Sequence, residues 1–259
     1  MDIRDGEAFD APVQVDFSLT IGGGRLDASV QVPAGRVTLT QLLPVLQGLT
    51  SNIVEGVAGI VHAEGHTISC RAGCGACCRQ MVPVSLFEAE GLLEWIATLP
   101  EAQQEALRQR FDDALRRLRE KGLLERMGAE MWVANRAERE AFGLEYLKAR
   151  VPCPFLVEES CSIHQVRPLV CREYLVTSPA EFCEIPAPER VKRVEMPVRG
   201  SMSLFRMAAK MESHGRGWVP LVFLFALQQS GPGPGASVMG TGPELLRRFV
   251  EGLSPEPSA

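Results

Sequence analysis

Hydrophobic positions fall into two periods along this chain. Residues 13–19 alternate, with Val13, Val15, Phe17 and Leu19 separated by polar residues, and residues 26–32 do the same with Leu26, Ala28, Val30 and Val32. A period of two gives each stretch one apolar face. The intervening Ile21-Gly22-Gly23-Gly24-Arg25 supplies a turn that tolerates positive φ, so the segment predicts a β-hairpin. From Thr40 the period changes to that of a helix. Leu42, Leu46, Leu49, Ile53, Val57 and Ile60 form one stripe, with Pro44 in the first turn and Gly65 closing it. Ser85 followed by Glu88 is a capping box that opens a second helix through Leu86, Ala89, Leu92, Leu93, Ile96 and Ala97 as far as Pro100. A third puts Leu107, Phe111, Ala114, Leu115 and Leu118 on one face. A fourth helical stretch, 123–148, is expected to break near Gly128 or Gly143.

The pattern then lapses. Residues 151–190 are rich in proline and weakly periodic, which predicts irregular loops with one short helix. Residues 200–213 and 219–229 look helical again, Ser230-Gly-Pro-Gly-Pro-Gly235 reads as a linker, and Leu245, Leu246, Phe249 and Val250 mark a last amphipathic helix before a polar tail, 254–259. The expected fold class is mainly α (α+β): a helical bundle with a small N-terminal β-hairpin and an irregular cysteine-rich loop region. Three segments are expected: 1–66, hairpin plus helix; 67–190, the cysteine-bearing domain; and 191–259, a C-terminal helical extension packed on it.

At 259 residues, 46% of them hydrophobic, the chain is long enough to build a core without disulfides or metal. Its net charge of −5 excludes a global basic field for nucleic acid or anionic lipid. The charged face of residues 101–121 holds six basic and five acidic residues, so it reads as a solvated surface. The opening residues carry two Asp within five positions and no apolar run, unlike a secretory signal. The longest apolar run, Trp218 to Leu227, is half the roughly 20 residues a membrane helix needs. A cytoplasmic location is expected, and there thiols persist as thiols.

That expectation gives weight to the eight cysteines, all of which lie between Cys70 and Cys183. The first run is Cys70-x3-Cys74-x2-Cys77-Cys78; the second contains Cys153, Cys161, Cys171 and Cys183. Thiolates at such spacings converge on a soft or borderline ion, and Gly73 and Gly75 permit the tight turns that convergence needs. All eight are candidate metal ligands. Adjacent side chains diverge, so one of Cys77 and Cys78 is expected to face the main centre and the other to serve a second site, a bridge or redox chemistry. Arg71, Arg79, Arg167 and Arg172 stand near cysteines, where cations favour thiolates. His164, three residues after Cys161, is a candidate nitrogen ligand, whereas His62 and His66 read as helix-end residues.

The strings C-G-A-C-C-R and C-P-F-L…C-S-I-H-x-x-R-P-x-x-C-R resemble the YkgJ-type cysteine-cluster family over residues 70–183. That resemblance implies zinc or iron chelation, with ligands among Cys74, Cys77, Cys78, Cys153, Cys161 and Cys171; Cys70 and Cys183 fit it less closely. The cysteine module is also similar to that of flagellin lysine N-methylases, which implies an iron–sulfur centre and methyl transfer to a protein. The C-x3-C-x2-C spacing occurs in radical S-adenosylmethionine enzymes too, but their fold needs βα units where this chain has helices. Three readings follow. The first is a protein holding an iron–sulfur cluster (4Fe–4S) or zinc. The second is a metal-dependent enzyme acting on a protein or peptide. The third is an interaction module stapled by zinc.

Overall fold

The computed structural model describes residues 11–21, 24–129, 135–210, 217–228 and 238–253. The alternating segments form the expected hairpin, strands β1 (Val13–Ile21) and β2 (Gly24–Val32), antiparallel and in register from Val13 opposite Val32. Its glycine turn at Gly22 and Gly23 lies outside the described residues. Val15, Phe17, Leu19, Val30 and Val32 face the core, and the intervening Gln14, Asp16, Asp27 and Gln31 face solvent.

Strand β3 (Arg36–Thr38) leads into α1 (Leu39–Ala63) through a capping box of Thr38 and Gln41. The helix starts at Leu39, which places Pro44 in its second turn instead of its first. The missing N–H removes one i→i−4 bond there, and the buried stripe Leu42, Leu46, Leu49 and Ile53 holds the helix together regardless. Strand β4 (Pro83–Ser85) feeds α2 (Leu86–Ala97) through the expected Ser85–Glu88 box. Helix α3 (Glu101–Glu120) buries Leu107, Phe111, Ala114 and Leu118. The following stretch holds α4 (Leu124–Ala129), which includes Gly128, and α5 (Arg136–Ala149), which is capped by Asn135 and includes Gly143; residues 130–134, between them, lie outside the described residues.

Residues 151–190 carry a two-residue hairpin, β5 (Leu156–Val157) with β6 (Ser160–Cys161), and a one-turn helix, α6 (Leu169–Arg172). After α7 (Gly200–Ala209) the expected helix over 219–229 is corrected: only its second half is α-helical, as α8 (Leu224–Gln228). Its start is strand β7 (Trp218–Pro220), paired with β4 so that Val219 lies opposite Val84. Pro220 pushes its predecessor out of the helical region, and the Leu221 amide donates to the Val82 carbonyl at 2.8 Å, completing the pairing. Strand β8 (Met239–Thr241) pairs with β3, and α9 (Gly242–Glu251) follows. The linker at 230–235 and the tail at 254–259 lie outside the described residues.

One core surrounds α1, where Leu42, Leu46 and Ile53 meet Phe87, Leu204, Leu246 and Phe249. A second fills the space between α2 and α3 with Ile96, Leu107, Phe111, Phe155 and Ile163, and Cys153 and Cys161 pack onto it. Phe111 and Phe155 meet edge to face with ring centres 5.4 Å apart. The second cysteine run is thus fastened to a rigid helical layer. Among the described residues no helix is long and apolar enough to cross a membrane.

Candidate metal centre

The first cysteine run occupies the loop between α1 and β4, with Cys77 and Cys78 on a one-turn 3-10 helix, Ala76–Arg79. Gly73 has φ +77°, a conformation that L side chains adopt at a cost. Gly75 is needed for a different reason. A Cβ there would lie 2.6 Å from Leu156 Cδ1 and 2.8 Å from the Glu159 carbonyl oxygen. Gly73 shapes the loop by its turn as expected, whereas Gly75, with φ −99°, serves close packing and marks where the two cysteine runs press together.

Polar contacts hold that junction. The Cys153 amide donates to the Cys78 carbonyl at 2.7 Å. Arg79 donates to both Glu159 carboxylate oxygens, at 2.9 and 2.5 Å, and to the Gly75 carbonyl at 3.0 Å. Gln80 Nε2 donates to Tyr174 Oη at 3.1 Å and to the Cys183 carbonyl at 3.0 Å, and the Tyr174 hydroxyl in turn bonds the Cys183 thiol. The Ser69 amide reaches the Val176 carbonyl at 2.9 Å. Tyr174 and Gln80 therefore tie Cys183 to the first run, a role their sequence positions did not signal.

Cys171 is placed by two buried carboxylates. Glu88 accepts from the Ser85 amide and hydroxyl and, across the structure, from the Leu169 amide at 2.6 Å, which pins α6 to the start of α2. Glu173 accepts from the amide and hydroxyl of Ser201 at the start of α7. Burial pushes both carboxyls above the usual range. Glu88 was legible as a cap, but its grip on α6, 81 residues away, was not.

All eight cysteines are free thiols. Burial raises Cys70 and Cys161, pushes Cys153 up to about 12 and Cys183 up to about 11, and takes Cys171 well above its ordinary value. Cys77 is raised by hydrogen bonding with the Cys78 side chain, then by burial. At these six thiols burial, together with the Cys78 hydrogen bond at Cys77, outweighs the nearby cations in the metal-free chain. Of the four arginines singled out, Arg167 is the one that favours the charged form at four thiols: Cys70, Cys77, Cys161 and Cys171. Arg71 is exposed, Arg79 is paired with glutamates, and Arg172 donates to Ser51 Oγ and to the Arg167 and Gln165 carbonyls.

The thiols fall into two groups. Cys171 feels the charge of Cys153, Cys77 and Cys161; Cys153 feels Cys161 and Cys77; and Cys161 feels Cys77. Cys183 feels Cys77, Cys70 and Cys74, and Cys70 feels Cys77 and Cys74. Cys77 stands between the groups. Among the described residues no three His, Cys, Asp or Glu side chains yet stand close enough to hold one ion. His164 is exposed beside this assembly, with its pKa lowered by Arg167, while His62 and His66 are exposed at the end of α1.

Several features suit a thiolate-bound metal. Backbone amides of Phe155, Ile163 and Val176 already point at the sulfurs of Cys153, Cys161 and Cys70, donors that a thiolate ligand retains. Arg167 Nε is buried with no hydrogen-bond partner among the described residues. No curated protein and no solved structure matches the chain. A family model does match, over residues 69–187, and its description is "CxxCxxCC: Putative zinc- or iron-chelating domain". The segment that carries all eight thiols is therefore similar to the CxxCxxCC family.

Proposed function

We propose that residues 69–187 bind an iron–sulfur cluster of the 4Fe–4S type where the two cysteine runs meet, with zinc as the competing occupant. Cys77, Cys153, Cys161 and Cys171 are the primary ligands; Cys70, Cys74 and Cys183 form a second group beside them, and Cys78 stands outside the primary set. One observation carries this reading: every pair among these four thiols lies within electrostatic reach, Cys171 of the other three, Cys153 of Cys161 and Cys77, and Cys161 of Cys77, although they come from sequence positions up to 94 residues apart. Eight thiols also exceed the four that a closed zinc site uses.

Because the four primary thiols are raised and hold their protons, binding releases those protons and draws the two cysteine runs together, so metal loading and local order are coupled. Arg167 offsets the charge that accumulates. When bound, a cluster supplies one-electron chemistry and zinc supplies a cross-link. Free thiols agree with a reducing, cytoplasmic setting.

Anaerobic purification with metal analysis and an optical spectrum tests the reading. Brown protein absorbing near about 400 nm, with about four irons and four sulfides per cluster, is the expected result. Colourless protein with zinc moves the reading to a structural site, and protein that binds neither refutes it. The second reading, a metal-dependent enzyme that methylates or otherwise modifies a protein or peptide, is favoured by a cleft that has Cys153 in its wall. It requires a coordination position left open by the protein, and a fully protein-ligated centre excludes it.

A further inference from the structure

The cleft beside Cys153 lies between α3 and the Pro152-Cys153-Pro154 segment, with Leu156 at one side, and encloses about 440 Å³. That volume is within the range of roughly 300–1,000 Å³ typical of small-molecule sites. Ala106, Ala114, Pro152, Pro154 and Leu156 make most of its surface apolar. Its polar groups come from α3, and they are unequal. Asp113 is engaged by Arg116 and Arg117. Gln109 donates to Glu105. Arg110 is half-buried and has no hydrogen-bond or ion-pair partner among the described residues. Of the other arginines of α3, Arg108 lies over the Phe225 ring, Arg116 is paired on both sides and Arg117 reaches Asp113, and none of them lines the cleft.

A half-buried guanidinium without a counter-ion, in a mostly apolar cleft, is an anchor for an anion. Its planar fork matches a carboxylate in a bidentate pair. The charge balance selects further. Arg110 offers one unbalanced positive charge, and the Asp113 carboxylate lines the same cleft, so a monoanion is favoured over a phosphate dianion. The apolar walls call for a short hydrocarbon body.

We propose that this cleft binds a small monocarboxylate, with its carboxyl on Arg110 and its apolar body against Pro152, Pro154 and Leu156 beside Cys153. The site goes beyond metal binding, and it gives the metal centre a ligand-sensing or substrate-holding neighbour.

The test is calorimetry on the full chain as purified, with hexanoate and with its neutral isostere hexanamide as probes. Hexanoate saturates one site, and hexanamide binds at least about ten-fold more weakly, the expected loss of a charge-assisted bidentate pair. In Arg110→Gln that preference disappears, while circular dichroism and metal content match the wild type. No saturable hexanoate binding, equal binding of the two probes, or an unchanged preference in Arg110→Gln would each overturn the proposal. The metal reading fails separately. A metal-free protein that binds hexanoate through Arg110 keeps the cleft and refutes the metal centre, and a metal-loaded protein that ignores hexanoate does the reverse.

Discussion

Replacing Gly75 by alanine strikes the junction of the two cysteine runs at its narrowest point. The added Cβ lies 2.6 Å from Leu156 Cδ1 and 2.8 Å from the Glu159 carbonyl oxygen. The leucine methyl can swing aside. The carbonyl is harder to move, because Glu158 and Glu159 are both held at positive φ, 50° and 59°, in the two-residue turn between β5 and β6. Relief must come from separating the first cysteine loop from the second, which also lengthens the 2.7 Å bond from the Cys153 amide to the Cys78 carbonyl. Overpacking of this kind costs about 1–3 kcal/mol. If the metal bridges the same junction, that cost appears in metal affinity as a loss of about five- to 150-fold. Chelator competition reads the affinity, and urea unfolding of the metal-free protein reads the stability. Gly48→Ala on α1, where a Cβ meets nothing within 4 Å, is the control; it should leave affinity unchanged and raise stability by about 0.5–1 kcal/mol. A Gly75→Ala protein with wild-type affinity and stability would refute the claim that the runs meet there.

Further expectations concern charge and protons. Arg167→Gln should weaken metal binding by about ten-fold or more while secondary structure is kept, since it removes the cation shared by four thiols; chelator competition with circular dichroism checks this. In the metal-free chain Cys153 and Cys183 sit at about 12 and about 11, against about 8.5 for an unfolded thiol. The folded chain thus keeps protons that the unfolded chain releases. Stability should be full below about pH 8.5 and fall as pH rises toward 11–12, and a urea midpoint that rises between pH 8 and pH 10 would contradict this. Glu88→Ala leaves the buried Leu169 and Ser85 amides without their acceptor and should cost about 1–3 kcal/mol for each orphaned donor, read by urea unfolding. Cys161→Ser should lose metal and local order together, and retention of full metal content would remove Cys161 from the ligands.

Periodicity made the scaffold legible. The hairpin, the Ser85–Glu88 cap and the stripes of α1 and α3 depend on local spacing, so they could be read without the rest of the chain. Pairing between distant segments could not. Nothing near Val219 signals that it faces Val84, so local periodicity predicts a helix where the chain forms a strand. The cysteines announced a metal site through their clustering, and Gly73 announced a turn between them, whereas the close packing at Gly75 depends on the distant Leu156 and Glu159. The grouping of the thiols depends on long-range packing. So do the burial that raises them and the use of Glu88, Tyr174 and Gln80 as struts, and the spacing alone left these open.

Cys77 and Cys78 offer the most direct test, because they are neighbours in sequence with opposite assigned roles. Wild type, Cys77→Ser and Cys78→Ser would be purified anaerobically and compared by metal content and optical spectrum. The wild type should carry metal, Cys77→Ser should lose it, and Cys78→Ser should retain most of it. A metal-loaded Cys77→Ser protein, or loss confined to Cys78→Ser, would contradict a centre built around Cys77.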